Sequence, residues 1–139
     1  MASTERPSRT LASERPLSPH LSIYKPYVTM VTSIMHRATG IVLYAGTLLL
    51  VWWLVAAATG PSYFDFVNGL AGSWIGRLVL FGYTWALMHH MLGGIRHIVW
   101  DLGYGFTPAK ANTLAWANIA GSIILTLLIW IAGYAAMGN

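Results

Sequence analysis

Residues 78–95 read LVLFGYTWALMHHMLGGI, and the chain continues Arg96-His97-Ile98-Val99-Trp100-Asp101. The quoted stretch contains no Asp, Glu, Lys or Arg, and at ~1.5 Å rise per residue a helix over it and its flanks crosses a hydrocarbon core of ~30 Å. Two further stretches share this character: residues 38–64, and residue 111 to the C-terminus. With 56% hydrophobic residues, 9% charged residues and seven Trp in 139 residues, the chain is an integral membrane protein. The predicted fold class is all-α with three transmembrane helices, at Met30–Ala58, Trp74–Leu102 and Asn112–Met137. Their apolar residues run nearly all the way round, which excludes the alternation of half-buried strands.

The only sizeable polar region is residues 1–29, so a soluble catalytic domain has no room in this chain and must come from partners. That region, with Pro7, Pro16, Pro19 and Pro26, is expected to be an extramembrane arm ordered against a partner, leaving 30–139 as the transmembrane domain. The net charge of +4 arises from scattered residues flanking the apolar segments, which points to lipid headgroups and not to nucleic acid. Arg6, Arg9, Arg15, Lys25 and Arg37 precede or open the first span, and Arg96 and Lys110 end or follow the second. The loop expected over Gly60–Ser73 has neither Lys nor Arg. That asymmetry places the N-terminus on the cytoplasmic or matrix side. Glu5 and Glu14 argue against a transit peptide, so a bacterial cytoplasmic membrane is expected before a mitochondrial inner membrane. Zero cysteines exclude thiolate metal and iron–sulfur ligation by this chain, leaving histidine to hold any redox centre.

Ionisable residues at membrane depth mark functional sites. On the second span, Tyr83, Ala86, His90, Gly94, His97 and Asp101 fall on one stripe at ~100° per residue, and His89 points away from it. Gly93 and Gly94 suit close approach of a helix or of a flat ligand. Neutral imidazole is a good ligand for a low-spin b-type haem. His90 and His97 lie roughly 10 Å apart along the axis, so one iron cannot take both. His36 is the other intramembrane candidate, and it is expected near the inner boundary with His90 deeper. That depth mismatch points to a second axial ligand from another subunit. Ser33, His36 and Arg37 share a face of the first span. Arg37 offers a donor fork to a haem propionate or to a reduced quinone oxygen, Ser33 a hydroxyl to a quinone carbonyl, and Asp101 a proton relay to the aqueous side. Thr39, Gly40 and Gly46 read as packing residues. The bland account of the whole cluster is a small-residue groove with hydrogen-bonded histidines.

The run Arg15-Pro16-Leu17-Ser18-Pro19-His20-Leu21, followed by Ser33, His36-Arg37 and Thr39, resembles the first signature of the cytochrome b membrane-anchor subunits of succinate dehydrogenase. His90, Gly94-Ile95-Arg96-His97, Trp100-Asp101 and Gly103 resemble their second signature. The resemblance covers the chain from Arg15 onward. It departs from the pattern at His89, where the family carries tyrosine; the spacing to Gly94 and Arg96 selects His90.

The resemblance implies an anchor in a heteromeric bundle, working with a flavoprotein, an iron–sulfur subunit and a second small membrane anchor. It implies one haem b shared with that second anchor, with His90 as the axial iron ligand from this chain. It places His36, Arg37 and His97 in the vicinity of the haem propionates, and Ser33, Arg37 and Asp101 at the ubiquinone site. Succinate itself is not expected to touch this chain. Two alternatives from other classes are a self-contained transmembrane b-type cytochrome and a haem-free packing protein; a quinol:fumarate reductase anchor is a nearer one.

Overall fold

The computed structural model describes residues 24–138. It contains four helices: α1 (Val28–Thr59), α2 (Pro61–Gly72), α3 (Trp74–Asp101) and α4 (Pro108–Met137), and no strand among the described residues. Three of them, α1, α3 and α4, are long and apolar enough to cross a membrane, as the charge-free runs predicted. The shortest, α3, has 28 residues and is about 42 Å long, so each outreaches a ~30 Å hydrocarbon core. Most of the polar arm, residues 1–23, lies outside the described residues, and residues 24–27 lead into α1 without helical structure.

Two features differ from the sequence reading by more than two residues. The segment expected as a loop, Gly60–Ser73, is largely the helix α2. Gly60 takes φ 138°, a conformation open to glycine, and Pro61 occupies the first helical turn, where its missing N–H is no loss. The new helix folds back on the end of α1. Trp52 Nε1 donates to Tyr63 Oη at 2.8 Å and Trp53 Nε1 to Asn68 Oδ1 at 3.0 Å, while the Trp53 and Phe64 rings meet at 5.5 Å. Helix α4 starts at Pro108, earlier than the expected Asn112, again because proline suits a helix start. Helix α3 opens where the sequence placed it: Ser73 Oγ caps it by accepting from Gly76 N at 3.1 Å.

Helix α3 packs against α1 on one side and α4 on the other. The interior is small and polar where a water-soluble bundle would be large and apolar. Its buried apolar residues are Ala56, Val67, Ala86 and Ala115, whereas Thr32, Thr39, His89, Arg96, Asn118, Ser122 and Thr126 are all buried. Large side chains such as Ile41, Leu48, Trp74 and Ile131 face outward. Lipid tails offer leucine what a core would, so helix association here relies on close approach and hydrogen bonds. The buried hydroxyls are satisfied locally: Thr32 donates to Thr29 O, Ser122 to Ile119 O and Thr126 to Ser122 O, at 2.7–3.0 Å.

Candidate functional site

The α1–α3 seam holds the histidines. The rings of His36 and His90 stack with centroids 4.1 Å apart and planes 9° from parallel, and His97 meets the other side of the cluster at 5.3 Å from His36. The close approach comes from Gly93, on which the His36 ring rests, so that a Cβ there would collide with Cδ2 of the imidazole. Further along the seam Gly46 receives the Tyr83 ring in the same way. Gly94 differs from its neighbour: a Cβ at that position would meet nothing within 4 Å.

His90 Nδ1 lies 3.1 Å from the carbonyl oxygen of His36 and 3.4 Å from Thr39 Oγ1. Both are acceptors in this setting, because the Thr39 hydroxyl spends its single hydrogen on the carbonyls of Met35 (2.8 Å) and His36 (2.9 Å). The hydrogen therefore sits on Nδ1, and the lone pair on Nε2. Among the described residues, the buried side-chain nitrogens without a partner are His36 Nε2, Arg96 Nε and Nη2, and Trp100 Nε1; His90 Nε2 is not one of them, and its half-buried ring reaches the open side of the helix pair.

His89, the neighbour one residue back, turns the other way. It is fully buried against α4, with Nδ1 3.4 Å from Ser122 Oγ and Nε2 3.5 Å from Asn118 Nδ2. An imidazole enclosed on both nitrogens by its own chain has no lone pair to offer outward. Adjacent histidines thus serve different faces of α3, ~100° apart.

The depth mismatch expected between His36 and His90 does not hold, since their rings are stacked. Helix α1 runs on well past the thickness of the hydrocarbon core, so nearness to its start does not fix depth in the bilayer. The stack itself still keeps the two rings from opposing each other across one iron, because lone pairs lying in parallel planes offset by a ring stack do not meet at one point between the rings. Of the other residues singled out, Ser33 is half-buried, and Arg37, His97 and Asp101 are exposed. The structure brings His36, His90 and His97 together. Among the described residues no hydrogen bond ties Ser33, Arg37 or Asp101 to them.

An apolar groove of about 700 Å³ runs along the α1–α3 seam, beginning beside Thr39 and continuing past Ala38, Ala45, Gly46, Gly82 and Ala86. The seam therefore has an imidazole-rich end and a dry, small-residue end, with His90 at the junction.

Succinate dehydrogenase/fumarate reductase transmembrane subunits form the family whose model matches residues 12–129. The chain belongs to that family. Among its relatives, the succinate dehydrogenase cytochrome b556 subunit of Paracoccus denitrificans is 46% identical over 114 residues, covering 82% of this chain and 88% of the relative. The cytochrome b556 subunit of Rickettsia typhi is 40% identical over 119 residues, with 86% and 93% covered. The mitochondrial cytochrome b560 subunit of Sus scrofa is 37% identical over 133 residues, with 94% and 75% covered. The resemblance read from the two signatures is borne out, and the chain is similar to these subunits along most of its length.

Within this transmembrane-subunit fold, three residues near the histidines make contacts that the sequence reading did not assign. Arg96, read there as a headgroup anchor, is 3% exposed; its Nη1 donates to Thr32 Oγ1 at 2.6 Å and its guanidinium lies 5.0 Å from the centre of the Trp100 ring. Thr39, read as packing, reaches His90. Thr32 had no role assigned. The available signal was spacing: Gly93, Arg96 and Trp100 follow His89 at i+4, i+7 and i+11, which is one helical face.

Proposed function

We propose that this chain is the haem b-binding membrane anchor of a succinate dehydrogenase and helps to form its ubiquinone-reduction site. The observation that carries the reading is the hydrogen-bonded state of His90. Its Nδ1–H is held by the His36 carbonyl, which leaves Nε2 as a metal-ready donor on the open side of the seam. Three features support a haem there: the unfilled backbone at Gly94 one turn along, the apolar groove beyond Thr39, and the imidazoles of His36 and His97 with Arg37 at the opposite end. A macrocycle that is apolar over most of its edge and carboxylated at one side matches such a gradient. When bound, the haem would supply a one-electron store that tunes or buffers electron flow to the quinone.

In this reading His90 would hold the haem iron from this chain, and a second small anchor would supply the other ligand. His36, Arg37 and His97 would hold the haem carboxylates. Ser33 and Arg37 orient a ubiquinone oxygen, the hydroxyl as a donor and the guanidinium as a fixed positive charge where negative charge develops. Exposed at the end of α3, Asp101 takes protons from the aqueous side for the two-electron, two-proton reduction of ubiquinone. Succinate is oxidised in the flavoprotein, and residues 1–29 are the extramembrane arm on the cytoplasmic side, which meets a partner. The complex sits in a bacterial inner membrane with the N-terminus on the cytoplasmic side.

The test uses the complex purified through a tag on this chain. His90→Ala is expected to abolish the low-spin b-type spectrum, and Arg37→Ala to lower ubiquinone reduction at least tenfold while succinate oxidation by a soluble artificial acceptor persists. Retention of the native spectrum in the first variant removes His90 as ligand. Unchanged ubiquinone reduction in the second removes Arg37 from the quinone site.

A further inference from the structure

The turn of α1 beneath His90 does more than the packing the sequence suggested. Nδ1 of the imidazole sits over two acceptors from successive parts of that turn, the His36 carbonyl at 3.1 Å and Thr39 Oγ1 at 3.4 Å. The Thr39 hydroxyl is itself anchored to the Met35 and His36 carbonyls, so it is not free to rotate and donate to Nδ1. Thr39 is 4% exposed, which keeps competing solvent away. One residue on, Gly40 lets the ring lie against the α1 backbone: a Cβ there would come within 3.1 Å of His90 Cε1, which the imidazole must relieve by shifting a few tenths of an ångström, and would make ordinary contact with Nδ1 at 3.6 Å.

We infer that Thr39 and Gly40 are positioning residues for His90, fixing its tautomer and ring angle and so setting the reduction potential of the haem iron. The physical link is general: the partner of a ligating imidazole's second nitrogen fixes its orientation and its basicity, and with them the electronic properties of the metal. The hydroxyl acts by holding and sharing the carbonyl to which Nδ1–H is bonded. The glycine acts by absence of a methyl group. This inference rests on the reading of His90 as the axial ligand.

The experiment measures the haem midpoint potential and the low-spin electron paramagnetic resonance signature in the purified complex carrying Thr39→Val, Thr39→Ser or Gly40→Ala. Valine keeps the shape of threonine and removes the hydroxyl. The Thr39→Val complex is expected to retain haem and succinate oxidation by a soluble acceptor, while the haem reduction equilibrium moves by about three- to tenfold, the latter being ~59 mV for a one-electron couple. Thr39→Ser is expected to restore the native potential, and Gly40→Ala to shift the resonance signature by turning the ring. A role confined to packing moves none of these when haem is retained. Native potential and signature in both Thr39→Val and Gly40→Ala overturn the inference. If the valine variant fails to assemble, Gly40→Ala decides: a shifted signature supports the positioning role, and a native one overturns it. His90→Ala separates this from the parent reading, because survival of the native spectrum in that variant sinks the ligand assignment itself, whatever the Thr39 variants do.

Discussion

Gly93→Ala and Gly94→Ala place the same methyl on adjacent residues of α3, and the structure gives them different consequences. At Gly93 the methyl collides with the His36 ring, which is pinned between Gly93 and the stacked His90. Overpacking of this kind costs roughly 1–3 kcal/mol. The gain from replacing a helical glycine by alanine returns roughly 0.5–1 kcal/mol. The difference is a net loss of about 0–2.5 kcal/mol, with a midpoint of about 1 kcal/mol, equivalent to a roughly fivefold change in a folding equilibrium. At Gly94 the methyl meets nothing within 4 Å in this chain, so only the helix gain remains for the chain's own fold. The proposed macrocycle occupies that side, and its binding is where the Gly94 methyl is felt. The assay is haem-to-flavin ratio, optical spectrum and rate of subunit release on heating, measured on complexes purified through this chain. Gly93→Ala is expected to release this subunit faster and to perturb the spectrum through a displaced His36–His90 pair. Gly94→Ala is expected to lower the haem-to-flavin ratio without that faster release. The reverse pattern, with Gly93→Ala silent and Gly94→Ala destabilising the chain, refutes the register on which both the stack and the open face depend.

Two more outcomes test the same geometry. His89→Leu removes a fully buried imidazole and leaves Ser122 and Asn118 without it, a loss of roughly 1–3 kcal/mol that weakens the α3–α4 contact. The low-spin spectrum should nonetheless stay native in the assembled complex, and its disappearance would make His89 the ligand. Gly46→Val forces the Tyr83 ring off α1 at a cost of roughly 1–3 kcal/mol, read as faster thermal release of the subunit. Native thermal behaviour there would show that α1 and α3 do not meet at this level.

The three long helices were legible because absence of charge over residues 38–64, 78–95 and 111–139 is a length measurement in a bilayer, and length is what membrane crossing requires. Helix α2 was missed because Asp65, Asn68 and Gly69 interrupt its apolar residues, although Gly60-Pro61 announced a helix start. The direction of His89 was legible from the ~100° step alone. Depth was not, because α1 has 32 residues and extends about 18 Å beyond the hydrocarbon thickness, so counting from its first residue says little about level in the membrane. Arg96 was misplaced for a related reason. Counting basic residues near span ends assigns each to a headgroup, whereas this one turns inward to Thr32 and Trp100. Which face an arginine takes depends on helix packing, and the periodicity of one helix does not contain its neighbours.

The same packing bears on how much of a haem site one chain can build. A low-spin centre with two axial imidazoles needs their lone pairs to oppose each other across the iron. His36 is stacked face to face on His90, so their lone pairs lie in parallel, offset planes, and His36 Nε2 sits in buried surroundings against Gly93. His89, adjacent in sequence, is committed to α4, and His97 lies beyond His36 and two turns along α3. Rotating any of the three into place would break the stack, the α3–α4 hydrogen bonds or the helix itself. The seam therefore favours one outward donor, and the proposal that the opposite ligand comes from a second anchor follows from ring orientation, where the sequence had suggested a difference in depth.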